Sequence, residues 1–567
     1  MALKRYKADA DTTIVNAYQM DLTTRGTGAN TGEADVLETY SIYGRENTGS
    51  QELSRMLIKF PITNISTDRT NGVVPASGSV SFYLRMFNAR HSKTVPADFK
   101  LSIMGISQSW QEGTGLDLEG YKDLTKGNSG ANWMSASNTA YWTDQAGTLL
   151  AGGSYLTGNS TTETFLFTET FTTGLEDLEV DITPLVEQWI AGTYSNYGLG
   201  VHMSASYEAY ISGAANTVTN RMPGQPTLDA DDTTQSVIYN PSGSTKSYYT
   251  KRFFARGSQY FFKHPVIEAR WDDKITDDRG EFYYSSSLST ANDNLNTLYL
   301  YNYVRGKLSD IPGLGTAKKI YVSLFSGSVG GFYTGGDGDD VAPSDIPISG
   351  STGSVQILSV DNSSFVSSVN KLVATGGIVS TGIYSASFAF TGSTLLETVY
   401  DVWFTGSHST ISAVNAITQY FTGTIKPITL KAEPHNVHPT YYLNVTNLQQ
   451  KYPGNQTARF NVFVREKYWN PTIYTKASST AKSATVVSAS YRVFRTLDAY
   501  DAIPYGTGSD LHTLMSYDES GNYFDLDMKL LEPGYEYALK FSFYDSQLSS
   551  WTEQNELFKF RVEDYEY

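Results

Sequence analysis

Residues 178 to 203 constrain the fold more than any other stretch, because they place a strand, a capped helix and a second strand in one short run. Leu178, Val180 and Ile182 alternate with Glu179 and Asp181, the pattern of a half-buried strand. Thr183 then offers an N-cap, Pro184 suits the first helical position, and Leu185, Val186, Trp189 and Ile190 form one apolar stripe. Gly192 is placed to stop the helix, and residues 199 to 203 resume as a strand. A helix is therefore expected over residues 184–191, with Trp189 in the core.

Elsewhere the patterning has period two. Residues 54–60 and 79–85 in the first half read as strands, as do 459–464, 490–494, 537–543 and 557–562 in the second. With 41 Tyr, 27 Phe and 48 Gly in 567 residues, the chain favours strands joined by tight turns. The expected class is all-β: tandem β-sandwich domains with one or a few short helices. Domain limits are expected near residues 272 and 430, giving 1–272, 273–430 and 431–567. The charge-rich crossing at 272–284 marks the first of them.

Composition also removes function classes. A formal net charge of −16 argues against a phosphate-tracking face, so nucleic acid is not an expected partner. The absence of cysteine removes disulfides, thiolate metal sites and a cysteine nucleophile. Residues 1–7 lead into polar sequence without an apolar core, and no apolar run of about 18 residues follows. Neither a signal peptide nor a membrane span is expected.

In order, Asp9 and Asp11, the strands at 54–60 and 79–85, Trp110 with Glu112 and Gly113, and the strand–helix–strand unit resemble the DNRLRE family. The resemblance covers about residues 1–272, ending on the strand around Val266 to Trp271, and departs in long insertions at about 115–175 and 204–250. It implies a β-sandwich module of cell-surface and extracellular proteins, some of which bind carbohydrate. The run from Leu531 through Pro533 and Gly534 to Tyr537 resembles the corner of a fibronectin III or related immunoglobulin-like domain. That resemblance makes Tyr537 the corner tyrosine, tied through its hydroxyl to the upstream loop. The texture of residues 250–567, including Val464 to Pro471 and Leu514 to Leu526, is similar to large virion structural proteins of tailed, marine-type bacteriophages. It implies a place in a virion and no reaction.

Catalytic signatures are absent: there is no Gly-x-Ser-x-Gly, no phosphate-binding Gly-x4-Gly-Lys-Ser/Thr loop and no His-Glu-x-x-His. His435 and His438 are three apart but sit beside Pro434 and Pro439 in an extended or turn segment, as in a linker, without the helical geometry or third ligand of a zinc site. Asp229, Asp231 and Asp232, and Asp337, Asp339 and Asp340, lie in loops that calcium could accept, but neither continues as an EF-hand. Asp272, Asp273, Asp277 and Asp278 are the nearest thing to paired carboxylates. No catalytic residue, cofactor or metal ligand is assigned. Trp133, Tyr141 and Trp142 fall in a polar insertion, where they serve either as an interface or glycan-stacking set or as a satellite core under the loop. Trp110, Trp189, Trp271 and Trp403 lie in patterned segments and are expected in cores.

The reading that results is a non-enzymatic structural subunit of a tailed-phage virion, in the tail, neck, baseplate or capsid. It would be made in the host cytoplasm and act through contacts with other virion proteins and with copies of itself. The alternative is a carbohydrate-binding adhesin.

Overall fold

The computed structural model describes residues 2–18, 26, 28–44, 50–90, 98–116, 130–144, 146–156, 165–211, 238–290, 292–314, 319–326, 354–356, 374–391, 396, 398–405, 418–430, 440–468, 473, 482–506, 510–546 and 548–564. Strands make up 49% of it, with two α-helices, so the protein is all-β. Two compact units divide the chain: Ala2–Asp272 with Gly508–His512, and Asp273–Thr507 with Thr513–Tyr567.

The first unit is a sandwich. Its strands are β1 (Leu3–Lys7), β2 (Ala10–Val15), β3 (Val36–Gly44), β4 (Ser50–Lys59), β5 (Val80–Met86), β6 (Phe99–Gly105), the hairpin β7 (Ser135–Ser137) and β8 (Ala140–Tyr141), β9 (Leu166–Phe171), β10 (Leu178–Asp181), β11 (Leu199–Met203), β12 (Tyr248–Phe254) and β13 (Val266–Trp271). One sheet runs β1-β13-β5-β10; the other runs β12-β3-β4-β11-β6-β9, with β2 added on β4. Met56, Ile58, Phe82, Leu84, Leu101, Ile103 and Val201 meet between the sheets as the main core. β4 has a second buried face, because Leu53 and Leu57 point away from that core into a separate apolar cluster. A strand buried on both sides loses strict alternation, which is why residues 56–58 are all apolar.

Helix α2 (Thr183–Ala191) buries Leu185, Val186 and Trp189 and ends on Gly192 at φ 75°. That left-handed conformation suits glycine. The expected N-cap is displaced, however, since Thr183 is the first helical residue and makes no capping bond. Its hydroxyl instead accepts the Phe82 amide at 2.7 Å, tying the helix to β5, while Asp181 Oδ1 accepts the Thr183 amide at 2.8 Å. Helix α1 (Ile62–Thr70) was not foreseen, because its β-branched, Thr-rich sequence has weak helix propensity. Burial of Ile62 and Ile65 overrides that preference, and Arg69 clamps Glu187 of α2 with bonds of 2.7 and 2.6 Å.

In the second unit, residues before 430 build one nine-stranded sheet around Ile383–Thr391, and those after 440 build a four-stranded and a six-stranded sheet. Phe460, Phe524, Phe541, Phe560 and Tyr491 fill the latter core, with Tyr491 stacked 4.0 Å from Phe524. Tyr537 is buried and its hydroxyl donates to the Glu532 carbonyl at 3.0 Å, the tie expected of a corner tyrosine. Trp110, Trp189 and Trp403 are buried and Trp271 is partly so.

Truncating Trp189 to Ala should cost about 3–5 kcal/mol through the cavity it leaves. Tyr537→Phe should cost about 1–3 kcal/mol by orphaning the Glu532 carbonyl. Chemical denaturation of both variants checks the pair, and unchanged midpoints would contradict the packing described.

Candidate functional site

The side chains with the most chemical capacity in the first unit gather on the outward face of β4 and β11, under residues 130–156. Arg55 on β4 makes a two-pronged ion pair with Glu208, with Nε and Nη2 donating to Oε1 at 3.1 and 2.9 Å and Nη2 to Oε2 at 3.0 Å. Its Nη1 donates to the Gly152 carbonyl at 3.0 Å, which also accepts the Tyr155 hydroxyl at 2.8 Å. His202 on β11 sits 5.4 Å from the Tyr155 ring, with Nδ1 2.7 Å from the Met203 carbonyl. Burial lowers the His202 imidazole to about 4, and the Arg55 cation adds to that, so the ring is neutral at ordinary pH. For Arg55 burial alone would weaken the charge, but Glu208 reverses it and holds the guanidinium protonated.

Trp133 and Trp142 close this cluster from above. Both are fully buried, packed with Leu53, Leu57, Ile106 and Trp110, and the Trp142 indole donates to the Asn132 carbonyl at 2.8 Å. Gly152 turns beneath the Trp133 ring at φ 74°, where a Cβ would lie 2.9 Å from it. Neither tryptophan offers a ring face to a sugar. The satellite-core alternative describes them, because the sheet's outer face is itself apolar and needs a cover. Tyr141 alone of the three, 50% exposed, keeps an open ring.

A second charged cluster lies on the four-stranded sheet. Glu268 is wholly buried, accepting from Arg5 Nε at 2.7 Å, Arg85 Nη1 at 2.8 Å and Arg270 Nη2 at 2.6 Å. Arg270 Nη1 continues to Glu179 at 2.8 Å and Asp510 at 2.9 Å. Burial would raise the Glu268 carboxyl, yet the guanidiniums of Arg85, Arg5 and Arg270 hold it well below the usual carboxylate range.

Among the acidic residues near 272–281, Asp277 and Asp278 lie in the second unit on a single turn. Asp278 accepts the Tyr517 hydroxyl at 2.8 Å and the Thr297 amide at 2.7 Å. Arg279 grips buried Asp401 with two bonds of 2.7 Å, and the Trp403 indole completes that carboxylate at 2.8 Å. Burial pushes Asp277 up to about 7. These carboxyls hold the turn against the neighbouring strands. Asp272 and Asp273 are exposed. No group of three or more His, Asp or Glu residues arranged for a metal occurs among the described residues. His435, His438 and the aspartates at 229–232 and 337–340 lie outside them.

No protein-family model matches the sequence, and no curated protein does. Among solved structures, a DUF4785 family protein from Legionella pneumophila is similar over 92% of this chain and 90% of its own, at 8% identity and a TM-score of 0.12. A Salmonella alpha-2-macroglobulin reacted with methylamine is similar over 99% of this chain and 34% of its own, at 8% identity and a TM-score of 0.13. Scores that low carry no argument about fold or function.

Sequence reasoning missed these clusters because their members are remote in sequence; Arg55 and Glu208 lie 153 residues apart. Arginine ahead of the apolar residues 56–58 was the one local signal.

Glu208→Ala should destabilise the protein by about 3–5 kcal/mol, since it strands a buried cation, whereas an Arg55→Met/Glu208→Leu double variant should recover most of that loss. Thermal melts of the three proteins check this. Asp277, raised by burial, favours folding while protonated; that contribution is full below the ordinary carboxylate range and is lost as pH rises through about 7. Asp277→Asn should therefore raise the melting temperature at pH above 7 and leave it nearly unchanged near pH 4, which a pH series of melts would reveal.

Proposed function

We propose that the chain is a non-enzymatic architectural subunit of a tailed-bacteriophage particle, acting through contacts with other virion proteins and with copies of itself. The observation that carries this reading is the hairpin of Tyr303–Val304 and Lys307–Leu308. Its turn places Arg305 at φ 51° and Gly306 at φ 77°, and it exposes Tyr303 by 60%, Val304 by 53% and Leu308 by 36%. A two-stranded ribbon is marginal in water by itself. Here its base is pinned, with the Ser309 amide donating to Asn302 O at 3.0 Å and the Asn302 amide to Gly382 O at 2.8 Å. A pinned ribbon with apolar side chains turned outward suits docking against a neighbouring chain.

Support also comes from where the reactive groups are spent. Arg55, Glu208, Glu268, Arg279 and Asp401 are all engaged in internal ion pairs, which favours an architectural role over a catalytic one. A glycan-binding reading draws on one observation, the adjacent exposed rings of Tyr260 and Phe261 beside Lys7.

The test is incorporation. The full chain carrying Val304→Asp and Leu308→Asp should fold with an unchanged melting temperature yet enter purified particles at a small fraction of the wild-type copy number, measured by quantitative peptide mass spectrometry. Normal incorporation of that variant, together with loss of host-glycan binding on Tyr260→Ala/Phe261→Ala substitution, would replace the architectural reading with the adhesin.

A further inference from the structure

Lys251 is the one lysine among the largest fully buried side chains, and its surroundings are those of a reactant. It projects from β12 between the rings of Phe171 and Phe253, with Nζ 5.0 and 4.7 Å from their centroids. Three oxygens surround the nitrogen: the Gly174 carbonyl at 3.0 Å, the Glu176 carbonyl at 2.8 Å and the Asn88 side-chain oxygen at 2.7 Å. Asn88 is itself held in place. It follows β5, forms an antiparallel bridge with Phe253, and is flanked by backbone bonds from Phe254 N to Phe87 O and from Ala89 N to Arg252 O, each 3.0 Å. The Asn88 backbone N–H donates to Asp177 Oδ1 at 2.7 Å, which brings a carboxylate beside the pair.

We propose that Lys251 and Asn88 react with each other to form an intramolecular isopeptide bond linking the two sheets of the first unit. With Nζ neutral, its two N–H groups satisfy the Gly174 and Glu176 carbonyls, and release of the bond that Nζ donates to Asn88 Oδ1 turns the lone pair toward Cγ. The nitrogen attacks Asn88 Cγ, and the C=O π pair moves onto Oδ1. A proton from Nζ passes by way of the Asp177 carboxylate to Nδ2. Collapse of the tetrahedral species then breaks the Cγ–Nδ2 bond and releases ammonia. An amine and a primary amide become a secondary amide and ammonia, with no oxidant, reductant or cofactor required.

Two features of the setting favour the step. Burial lowers the Lys251 ammonium to about 8, against the opposing pull of Asp177 and Glu176, so the nucleophilic amine is present in about a tenth of molecules at pH 7 and in about half at mildly alkaline pH. Positioning by β12 and the 87–89 segment supplies the effective concentration that makes amide exchange feasible without an external catalyst. The product also removes a buried cation. In a chain without cysteine, this link between β12 of one sheet and the continuation of β5 from the other takes the place of an inter-sheet disulfide.

The measurement is the intact mass of the purified full chain after incubation at mildly alkaline pH, followed by peptide mapping. The expected result is a mass short of the sequence by one ammonia, and a branched peptide joining residues 88 and 251. Asn88→Ala and Lys251→Met should keep their full sequence masses. Asp177→Asn, a change at an exposed position, should slow formation by about a hundredfold. A wild-type chain that retains its full mass would overturn the proposal and leave Lys251 as an ammonium caged by three acceptors. Ammonia loss that maps to any other asparagine would overturn it equally. Because both readouts are made on the wild-type protein, a substitution that fails to fold cannot obscure the answer.

Discussion

A charge inside a sandwich is tolerable only where it is met on the spot, and in the first unit that requirement fixes which layers can exist. The outer face of β4 carries Arg55 between Leu53 and Leu57, so it could face neither water nor a purely apolar cover without cost. Glu208 supplies the counter-charge and the Gly152 carbonyl the remaining acceptor, which commits both the 150–156 segment and the 204–211 segment to packing there. Trp133 and Trp142 then close the apolar remainder. The cap over this sheet is thus built around the ion pair, and the outer face of β4 is filled from within.

The four-stranded sheet applies the same rule with the signs arranged differently. Glu268 sits on a central strand with Arg85 on the strand beside it and Arg5 on the other side, and register alone brings the three together: Arg5 pairs with Glu268, and Glu268 with Tyr83, two residues from Arg85. Arg270 lies on the same face one pleat along and stacks 4.3 Å from the Tyr83 ring while reaching Glu179 and Asp510. The positive and negative charges of this group balance. Removing any one member leaves a buried residual charge, so the group behaves as a unit in which single substitutions should not add.

Much of the secondary structure was legible, and for a local reason. Period-two alternation identifies strands such as residues 459–464, and the αL position at Gly192 with the stripe Leu185, Val186 and Trp189 identifies α2, because each pattern lies within one element. Helix α1 was not legible, since residues 62–70 carry poor helix formers and the burial that compensates comes from other strands. The role of Trp133 and Trp142 was undecidable for the same reason: composition places them in a polar insertion, but only the apolar outer face of β4, more than 70 residues upstream, decides that they are buried. Lys251 gave no signal at all. A lysine among Arg252, Phe253 and Phe254 reads as an ordinary strand position until the turn at 174–176 and Asn88 are brought to it.

The protonation states of these buried groups pull stability in opposite directions across the pH scale. Glu268 has a depressed carboxyl, so what it contributes is present above the ordinary carboxylate range and is lost as the solution is acidified. Asp11 behaves like Asp277: burial raises it to about 7, the nearby Glu112 charge reinforces that, and one of its oxygens has no hydrogen-bond partner in the fold. Its contribution is therefore lost as pH rises through neutrality. The Glu268 cluster and Asp11 are both in the first unit, and their contributions to its stability run with opposite slopes against pH. A protein whose surface alone set its pH response would show its changes where exposed carboxylates titrate; here buried groups add slopes of both signs, through single residues that can be substituted one at a time.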